Sequence, residues 1–186
     1  MNPEISIRET VPEDFQTIME IHEAAFGHDK EAKLTAALLN DKSAAPVVSL
    51  IAFEEETAVG HILFTRASFE NGANRMMHIL APLAVVPFSQ KKGVGGLLIR
   101  SGLQKLQELD SELVFVLGHK EYYPKFGFEP YAEKAGYPAP YPIPEIHQEY
   151  WMMQSVSKSG KPDLKPDLKG KIKCADALDK PEHWRE

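Results

Sequence analysis

The fold of this chain is decided by the stretch VVPFSQKKGVGGLL at residues 85–98. An apolar strand runs into Pro87 and a polar, basic turn, and three glycines at 93, 95 and 96 then lead into an apolar helix. Glycines at a strand-to-helix turn let backbone N–H groups approach a ligand closely, because no side chain stands in the way. The helix adds unsatisfied N–H groups and the positive end of its dipole. The stretch therefore predicts a site for a phosphate or pyrophosphate.

The glycine spacing discriminates between classes of phosphate ligand. A Walker loop requires Gly-Lys-Ser/Thr, whereas Gly95 is followed by another glycine and a leucine. A dinucleotide fingerprint requires a third glycine where Leu98 stands. The pattern that matches is Gln-x-x-Gly-x-Gly from Gln90 to Gly95, which resembles the acetyl-CoA pyrophosphate loop of the GNAT superfamily of N-acetyltransferases. On this motif alone, a glycine-rich helix start that only packs tightly against a sheet is an equal alternative.

A second motif lies in the stretch GHKEYYPKFGFEP at residues 118–130. This stretch predicts a short helix that ends at Gly127 and a strand that begins at Phe128. Tyr123, three residues and then Gly127-Phe128 are similar to the second GNAT signature. The two motifs lie about thirty residues apart, which leaves room for the helix and strand of a crossover connection. Residues 113–130 also resemble a bacterial subgroup of acetyltransferases. The chain is thus identified as a GNAT-like N-acetyltransferase of bacterial type, with the resemblance covering roughly residues 5–155.

The first half of the chain predicts a strand and two helices. Alternation over residues 5–8 is typical of a half-buried strand. Pro12 and the two acids after it start a helix with one apolar face, and Gly27 ends it. A second helix is predicted over 31–39.

The middle of the chain predicts an antiparallel meander. Strands are expected over 47–53, over 58–69 and from Arg75 onward, with the Asn-Gly pair at 71–72 as a hairpin turn. Pro82 cannot donate to a sheet ladder, so we expect a bulge or a break in pairing there. The helix after the glycines and the buried strand at 113–117 complete a right-handed βαβ unit.

The resemblance implies the complete fold class. It is α+β, with a mixed, mostly antiparallel sheet of about seven strands, a bulged fourth strand and about four flanking helices. We expect one domain over residues 1–186 with its core at 5–155. A proline-rich connector is predicted at 137–144, a mobile loop at 157–170 and an edge strand within 171–186.

Composition limits the compartment and the partners. The 186 residues are 43% hydrophobic and 26% charged, as in ordinary globular proteins. No apolar run is long enough to span a bilayer, and no membrane partner is expected. Cys174 is the one cysteine, so an internal disulfide is impossible and a cytoplasmic location is expected. The net charge of −6 argues against a nucleic-acid partner.

Cofactor contacts follow from the resemblance, which implies acetyl-CoA as co-substrate and no metal. The implied cofactor-binding residues are Leu83, Ala84, Val85, Gln90, Lys91, Lys92, Gly93, Val94, Gly95 and Gly96. The pairs His22-Glu23 and His28-Asp29 invite a metal reading, but their histidines are six positions apart and lack the spacing of zinc-binding helices. We favour solvated helix residues there, with lining of a substrate cleft as the alternative.

Catalysis by this family often uses the tyrosine of the second signature to protonate the leaving thiolate, which implies Tyr123. The alternative is that this tyrosine and its neighbour Tyr122 only cover the core. Some members place a basic carboxylate on the bulged strand, where this chain has Ile79 with His78 beside it. A water relay and Glu23 are equal candidates, so the base stays unassigned.

The resemblance implies acetyl transfer from acetyl-CoA directly to a primary amine of a small molecule or a protein. A non-catalytic acyl-CoA-binding or regulatory module on the same fold is the alternative. Tyr123 separates the two, because a sensor needs no general acid. A homodimer is compatible with the resemblance, although no residue of the sequence fixes an interface.

Overall fold

The computed structural model describes residues 3–158 and 169–185. Its strands are β1 (Ile5–Glu9), β2 (Val48–Glu54), β3 (Thr57–Phe69), β4 (Met77–Val85), β5 (Leu113–Leu117), β6 (Trp151–Ser155) and β7 (Ile172–Lys173). Its α-helices are α1 (Phe15–Phe26), α2 (Lys30–Leu39) and α3 (Val94–Glu108). Most of the loop predicted at 157–170 lies outside the described residues.

The seven strands form one mixed sheet in the order β1-β2-β3-β4-β5-β6, with β7 paired to the end of β3. All pairs are antiparallel except β4–β5, which are parallel and joined through α3. The predicted meander and the parallel crossover unit are confirmed, as is the α+β class.

The predicted bulge lies in β4. Between two paired positions β4 advances from Leu80 to Leu83, whereas β3 retreats only from Phe64 to Ile62. The extra residue falls at Ala81-Pro82, because proline cannot supply the missing ladder bond. Beyond this point β4 and β5 diverge, since their pairing ends at Ile79.

The helices cover both faces of the sheet. Along β3, Gly60 and Phe64 contact α3, whereas His61 contacts α1, so strand alternation places these two helices on opposite faces. Gly102 is required in α3 because a Cβ there would overlap the ring of Phe64. This close approach holds the N-terminus of α3 beside the divergent end of β4.

Two segments of the second half differ from the prediction. The helix expected before Gly127 is a 3-10 helix, Tyr123–Phe126, which ends at that glycine with φ 94°. The strand expected from Phe128 onward is reduced to one bridge between Glu129 and Met153. The prolines after it at 138, 140, 142 and 144 remove most of the donors that a longer strand would need.

The C-terminal segment, residues 176–185, folds back onto α2 and the loop after it. The N–H of Asp176 donates to the hydroxyl of Ser43, and the N–H of Ala177 donates to Oδ2 of Asp41, each at 2.8 Å. Trp184 is 2% exposed and packs edge-on against Trp151. Among the described residues, no helix is long and apolar enough to cross a membrane.

Candidate active site

A cleft of about 1510 Å³ opens where β4 and β5 separate. Its floor is the divergent part of β4 together with Val116 and Leu117 of β5. One side, here called the glycine wall, consists of residues 89–96 and the 3-10 helix Tyr123–Phe126. The opposite side, here called the corner wall, consists of residues 26–37 and the C-terminal segment 177–185.

The glycine wall presents the open N-terminus of α3. Lys91 and Gly93 adopt left-handed backbone conformations, with φ of 63° and 87°, and turn the chain into the helix. The first bond within α3 runs from the N–H of Leu97 to the carbonyl of Gly93. The three preceding N–H groups therefore have no partner in the helix and can bind an anion.

The glycines also admit aromatic rings at close range. A Cβ on Gly95 would overlap the hydroxyl of Tyr122, and one on Gly96 would lie 2.8 Å from the ring of Phe126. The 3-10 helix is thereby packed directly over the start of α3. Both signatures found in the sequence thus meet in one wall.

The divergent edge of β4 forms the floor beside this wall. Past Ile79 that edge has no pairing with β5, so its backbone can pair with an extended ligand. Leu83 and Val85 line the cleft, whereas Ala84 is 2% exposed and lies opposite His61 of β3. The side-chain amide of Gln90 donates to the carbonyl of Val85 at 2.9 Å, which ties the glycine turn to the strand.

Of the remaining implied cofactor residues, Gln90, Lys91, Gly93, Val94, Gly95 and Gly96 line the cleft. Lys92 does not, because its ammonium lies over the ring of Phe88, 5.7 Å from the centroid. Two further cations that the sequence reading missed, Arg100 and Lys125, line the same wall. Arg100 could have been found from its spacing, since it lies one helical turn after Gly96 on α3.

Two adjacent tyrosines reach the cleft from the 3-10 helix and its cap. Tyr123 packs edge-on against Tyr122 and Phe128, with ring centroids 5.1 and 5.7 Å apart. A Cβ on Gly118 would overlap the ring of Tyr123, so the end of β5 is shaped around it. Burial raises the pKa of Tyr122. Both tyrosines are half-buried.

The candidate bases on β4 are separated by strand alternation. Ile79 lines the cleft, while His78 is fully buried and contacts the hydroxyl of Ser111 at 2.8 Å and the carbonyl of Pro46 at 2.9 Å. The bulge begins after His78 and leaves its register unchanged. Burial lowers the pKa of His78 to about 4. Glu23 does not line the cleft either.

One histidine of α1 differs from the expectation of solvated residues. His22 is fully buried, and its Nε2 lies 2.8 Å from Nδ1 of His61. The chain continues from Nε2 of His61 to the hydroxyl of Ser49 at 2.9 Å, and Thr10 donates to that hydroxyl. Burial lowers the pKa of His22 to about 4 and that of His61 to about 3, so both are neutral. The expectation was wrong because α1 turns His22 toward β3.

His28 fulfils the alternative expectation and lines the cleft. It lies between α1, which ends at Gly27, and α2, and its ring stacks on that of Phe26 with centroids 6.3 Å apart. Its Nδ1 lies 3.1 Å from Oε2 of Glu31. His183 faces the same region from the C-terminal segment, 152 positions after Glu31 in the chain (183 minus 31). No local sequence motif indicates that His183 and Glu31 lie close together.

The splayed parallel pair, the bulged strand and the anion-binding helix start define the class of the molecule: an acyltransferase fold of the GNAT type. Residues 6–131 match the family described as the acetyltransferase (GNAT) domain, so the chain belongs to that family. The class predicted from the sequence is confirmed.

Relatives support the assignment. The Escherichia coli K12 protein YjhQ, named an uncharacterized N-acetyltransferase, is 54% identical over 164 residues, covering 88% of each chain. YhbS of the same strain, named likewise, is 31% identical over 124 residues, covering 66% of this chain and 72% of the relative.

Solved structures share the architecture. E. coli YhbS in complex with CoA superposes with a TM-score of 0.82 over 96% of this chain and 93% of its own, and at 23% identity it shows the fold. A GNAT acetyltransferase from Brucella melitensis in complex with acetyl-CoA has a TM-score of 0.73 and 28% identity, covering 95% and 99%. Among the described residues, no cluster of three or more metal-ligating side chains occurs.

Proposed function

We propose that this chain transfers the acetyl group of acetyl-CoA directly to a primary amine of a small molecule or a protein. The observation that carries the proposal is the meeting of two features in one cleft. The unpaired edge of β4 can hold an extended pantetheine arm, and the open N-terminus of α3 can hold the pyrophosphate. The CoA complexes of the two solved relatives support this choice of cofactor.

The cofactor contacts follow from this arrangement. N–H groups of Val94, Gly95 and Gly96 are available for pyrophosphate oxygens, since none has a partner within the helix. Lys91, Arg100 and Lys125 supply positive charge on the same wall. Leu83 and Val85 line the path of the pantetheine. Ala84 would take part only through its backbone, and Lys92 only through the field of its charge.

Tyr123 is the proposed general acid. The ring is held between Phe128 and Gly118, at the end of β5 beyond its pairing with β4, and it lines the same cleft as the unpaired edge of β4. The phenol gives its proton to the thiolate as the C–S bond breaks. A thiol has a pKa of about 8.5 and a tyrosine about 10, so the transfer needs no large shift of either group.

The proposal extends to the setting of the reaction. We assign the activity to the cytoplasm, because the chain has a single thiol, Cys174, which is buried and free. Burial raises the pKa of this thiol to about 12, which removes it as a nucleophile and favours direct transfer over an acyl-enzyme. Homodimerisation stays a prediction.

The test combines binding with turnover. Acetyl-CoA affinity is measured by calorimetry, and a panel of amines and peptides is screened by thiol release. Tyr123→Phe should lower kcat by roughly 100-fold with acetyl-CoA affinity unchanged. The variant loses only the hydroxyl group, and with it the proton that the thiolate would receive. Tyr122→Phe is the matched control and should retain most of the turnover. Equal activity of Tyr123→Phe across the pH range would remove this residue from the mechanism.

A further inference from the structure

Acetyl transfer to an amine needs a base, and the residues expected on β4 do not supply one. Most alkylamines are cationic at neutral pH and cannot attack a thioester until a proton leaves. Ile79 has no basic atom, and His78 is buried away from the cleft. Three histidines line the cleft, namely His28, His119 and His183. Of these, His28 is the one that the described part of the chain places within ion-pair distance of a carboxylate.

We propose that His28 is the general base and that Glu31 orients it. This inference rests on the proposed function. Both residues line the corner wall, across the cleft from Tyr123, and Nδ1 of His28 lies 3.1 Å from Oε2 of Glu31. The proton of a neutral imidazole resides on the nitrogen that faces a carboxylate, which leaves Nε2 as the free acceptor.

The setting of Glu31 supports an orienting role. Its Oε2 is closed to solvent and has no aligned hydrogen-bond donor among the described residues. The contact with His28 has ion-pair distance without hydrogen-bond alignment. Catalytic hydrogen bonds are often long or poorly aligned in the free enzyme and tighten only with substrate bound. Because solvent does not reach Oε2, no water competes with the imidazole for this oxygen.

The ring of His28 is held while its outer edge stays accessible. It stacks on Phe26, and the turn at Gly27 fixes the corner between α1 and α2. The side chain of His28 remains 49% exposed, against 28% for Glu31. This difference agrees with an orienting carboxylate whose Oε2 is closed to solvent and with an imidazole nitrogen that meets substrate.

Other charged groups surround the pair. Asp29 and Lys33 lie on the same helical corner and bind each other at 2.7 Å. From the C-terminal segment, His183 and Glu182 line the cleft, and the charge of Glu31 acts to raise the pKa of His183 against the larger effect of burial. Lys30, Lys180 and Arg185 also line this wall. Glu31 is thus the carboxylate that lies against His28.

The proton balance is complete with these groups. The substrate ammonium gives one proton to Nε2 of His28, and the neutral nitrogen then attacks the thioester carbonyl carbon. The C–N bond forms and the C–S bond breaks while Tyr123 protonates the thiolate. After the attack the nitrogen loses its second proton through solvent to the tyrosinate, which restores the phenol of Tyr123. The products are therefore an amide, a thiol and one proton released from His28 to solvent.

Two probe amines of similar shape isolate the deprotonation step. Ethylamine is cationic at neutral pH and trifluoroethylamine is neutral, so only the first must lose a proton before attack. His28→Gln should lower kcat/KM about 100-fold for ethylamine and less than about tenfold for trifluoroethylamine. Glu31→Gln should also affect ethylamine more than trifluoroethylamine, and it should lower kcat/KM for ethylamine by about tenfold. The affinity for acetyl-CoA should not change in either variant.

The matched control is His147→Gln, which replaces a histidine outside the cleft lining and should leave both rates unchanged. If His28→Gln lowers both amines equally, or neither, the base assignment is overturned while the proposed function stands. If the wild-type protein binds acetyl-CoA but acetylates neither probe nor any amine of the screen, both proposals fall.

Discussion

The two walls of the cleft are built in different ways. The glycine wall comes from residues 89–96 and the 3-10 helix Tyr123–Phe126, two short segments joined by one helix and one strand. The corner wall joins α1 and α2 to the C-terminal segment, which reaches them through hydrogen bonds spanning more than 130 residues, such as Asp41 with Ala177. The first wall has the geometry for a phosphate, and the second carries the ionisable groups that could handle an amine.

This difference indicates which wall of such a site can change without affecting the other. The glycine wall binds through backbone N–H groups, so its chemistry depends on chain conformation and on glycines. The corner wall presents side chains on separately docked segments, so we expect that exchanging those side chains would alter the acceptor without disturbing the cofactor site. Variants in one wall should therefore change one binding step and spare the other.

Gly95→Val should have the largest effect, a loss of acetyl-CoA affinity of at least about 100-fold. The new side chain would overlap the hydroxyl of Tyr122 and force the 3-10 helix away from the start of α3. Calorimetry measures the affinity, and circular dichroism monitors the fold. Ser101→Val, later on α3, is the control and should bind acetyl-CoA normally. Undiminished binding by Gly95→Val would mean that the cofactor lies elsewhere.

The contrast between the walls also explains how far the sequence could predict the molecule. Gln90 to Gly95 and Tyr123 to Phe128 are local patterns whose geometry follows from glycine conformations and from helix-start chemistry. Pro82 predicted the bulge because a missing N–H has the same consequence in any strand. Those features yielded the fold class and the glycine wall.

The corner wall was not predictable in this way. Nothing near His28 indicates that residues 176–185 will lie opposite it, since that contact depends on the docking of the C-terminal segment onto Asp41 and Ser43. The local sequence around His22 does not distinguish it from a solvated helix residue. Only the orientation of α1 on β3 buries it. Long-range packing decides both outcomes.

Acid should destabilise the packing of α1 on β3, which supports the corner wall through the contact of His22 with His61. Burial lowers the pKa of His22 to about 4 and that of His61 to about 3, so the folded state excludes protons that the unfolded state binds below about pH 6.5. The free energy of unfolding is therefore highest above pH 6.5 and falls as the pH drops toward 4. The two groups together should cost about 3 kcal/mol between about pH 6.5 and about pH 5.

Urea unfolding at several pH values measures this loss, and hydrogen exchange locates it. The double variant His22→Leu with His61→Leu should depend less on pH below 6.5, since its folded state no longer excludes those two protons. His78→Leu is the comparison, because it removes a buried histidine that does not touch α1. Faster exchange of α3 than of α1 at low pH would contradict the assignment of the effect to the corner wall.

Asp41→Ala should have the smallest effect and the most selective one. Asp41 receives the N–H of Ala177 through Oδ2 and the N–H of Ser43 through Oδ1, each at 2.8 Å, so its loss loosens the start of the C-terminal segment. We expect KM for the amine to rise by about fivefold to tenfold, because a lost hydrogen bond of this kind is worth about 1 kcal/mol. Acetyl-CoA affinity should stay constant, since neither Asp41 nor Ser43 lines the cleft. Asp41→Asn keeps a carbonyl oxygen for one of the two donors and should lie between wild type and Asp41→Ala. Should acetyl-CoA affinity fall in step with the amine, the two walls are coupled and cannot be exchanged separately.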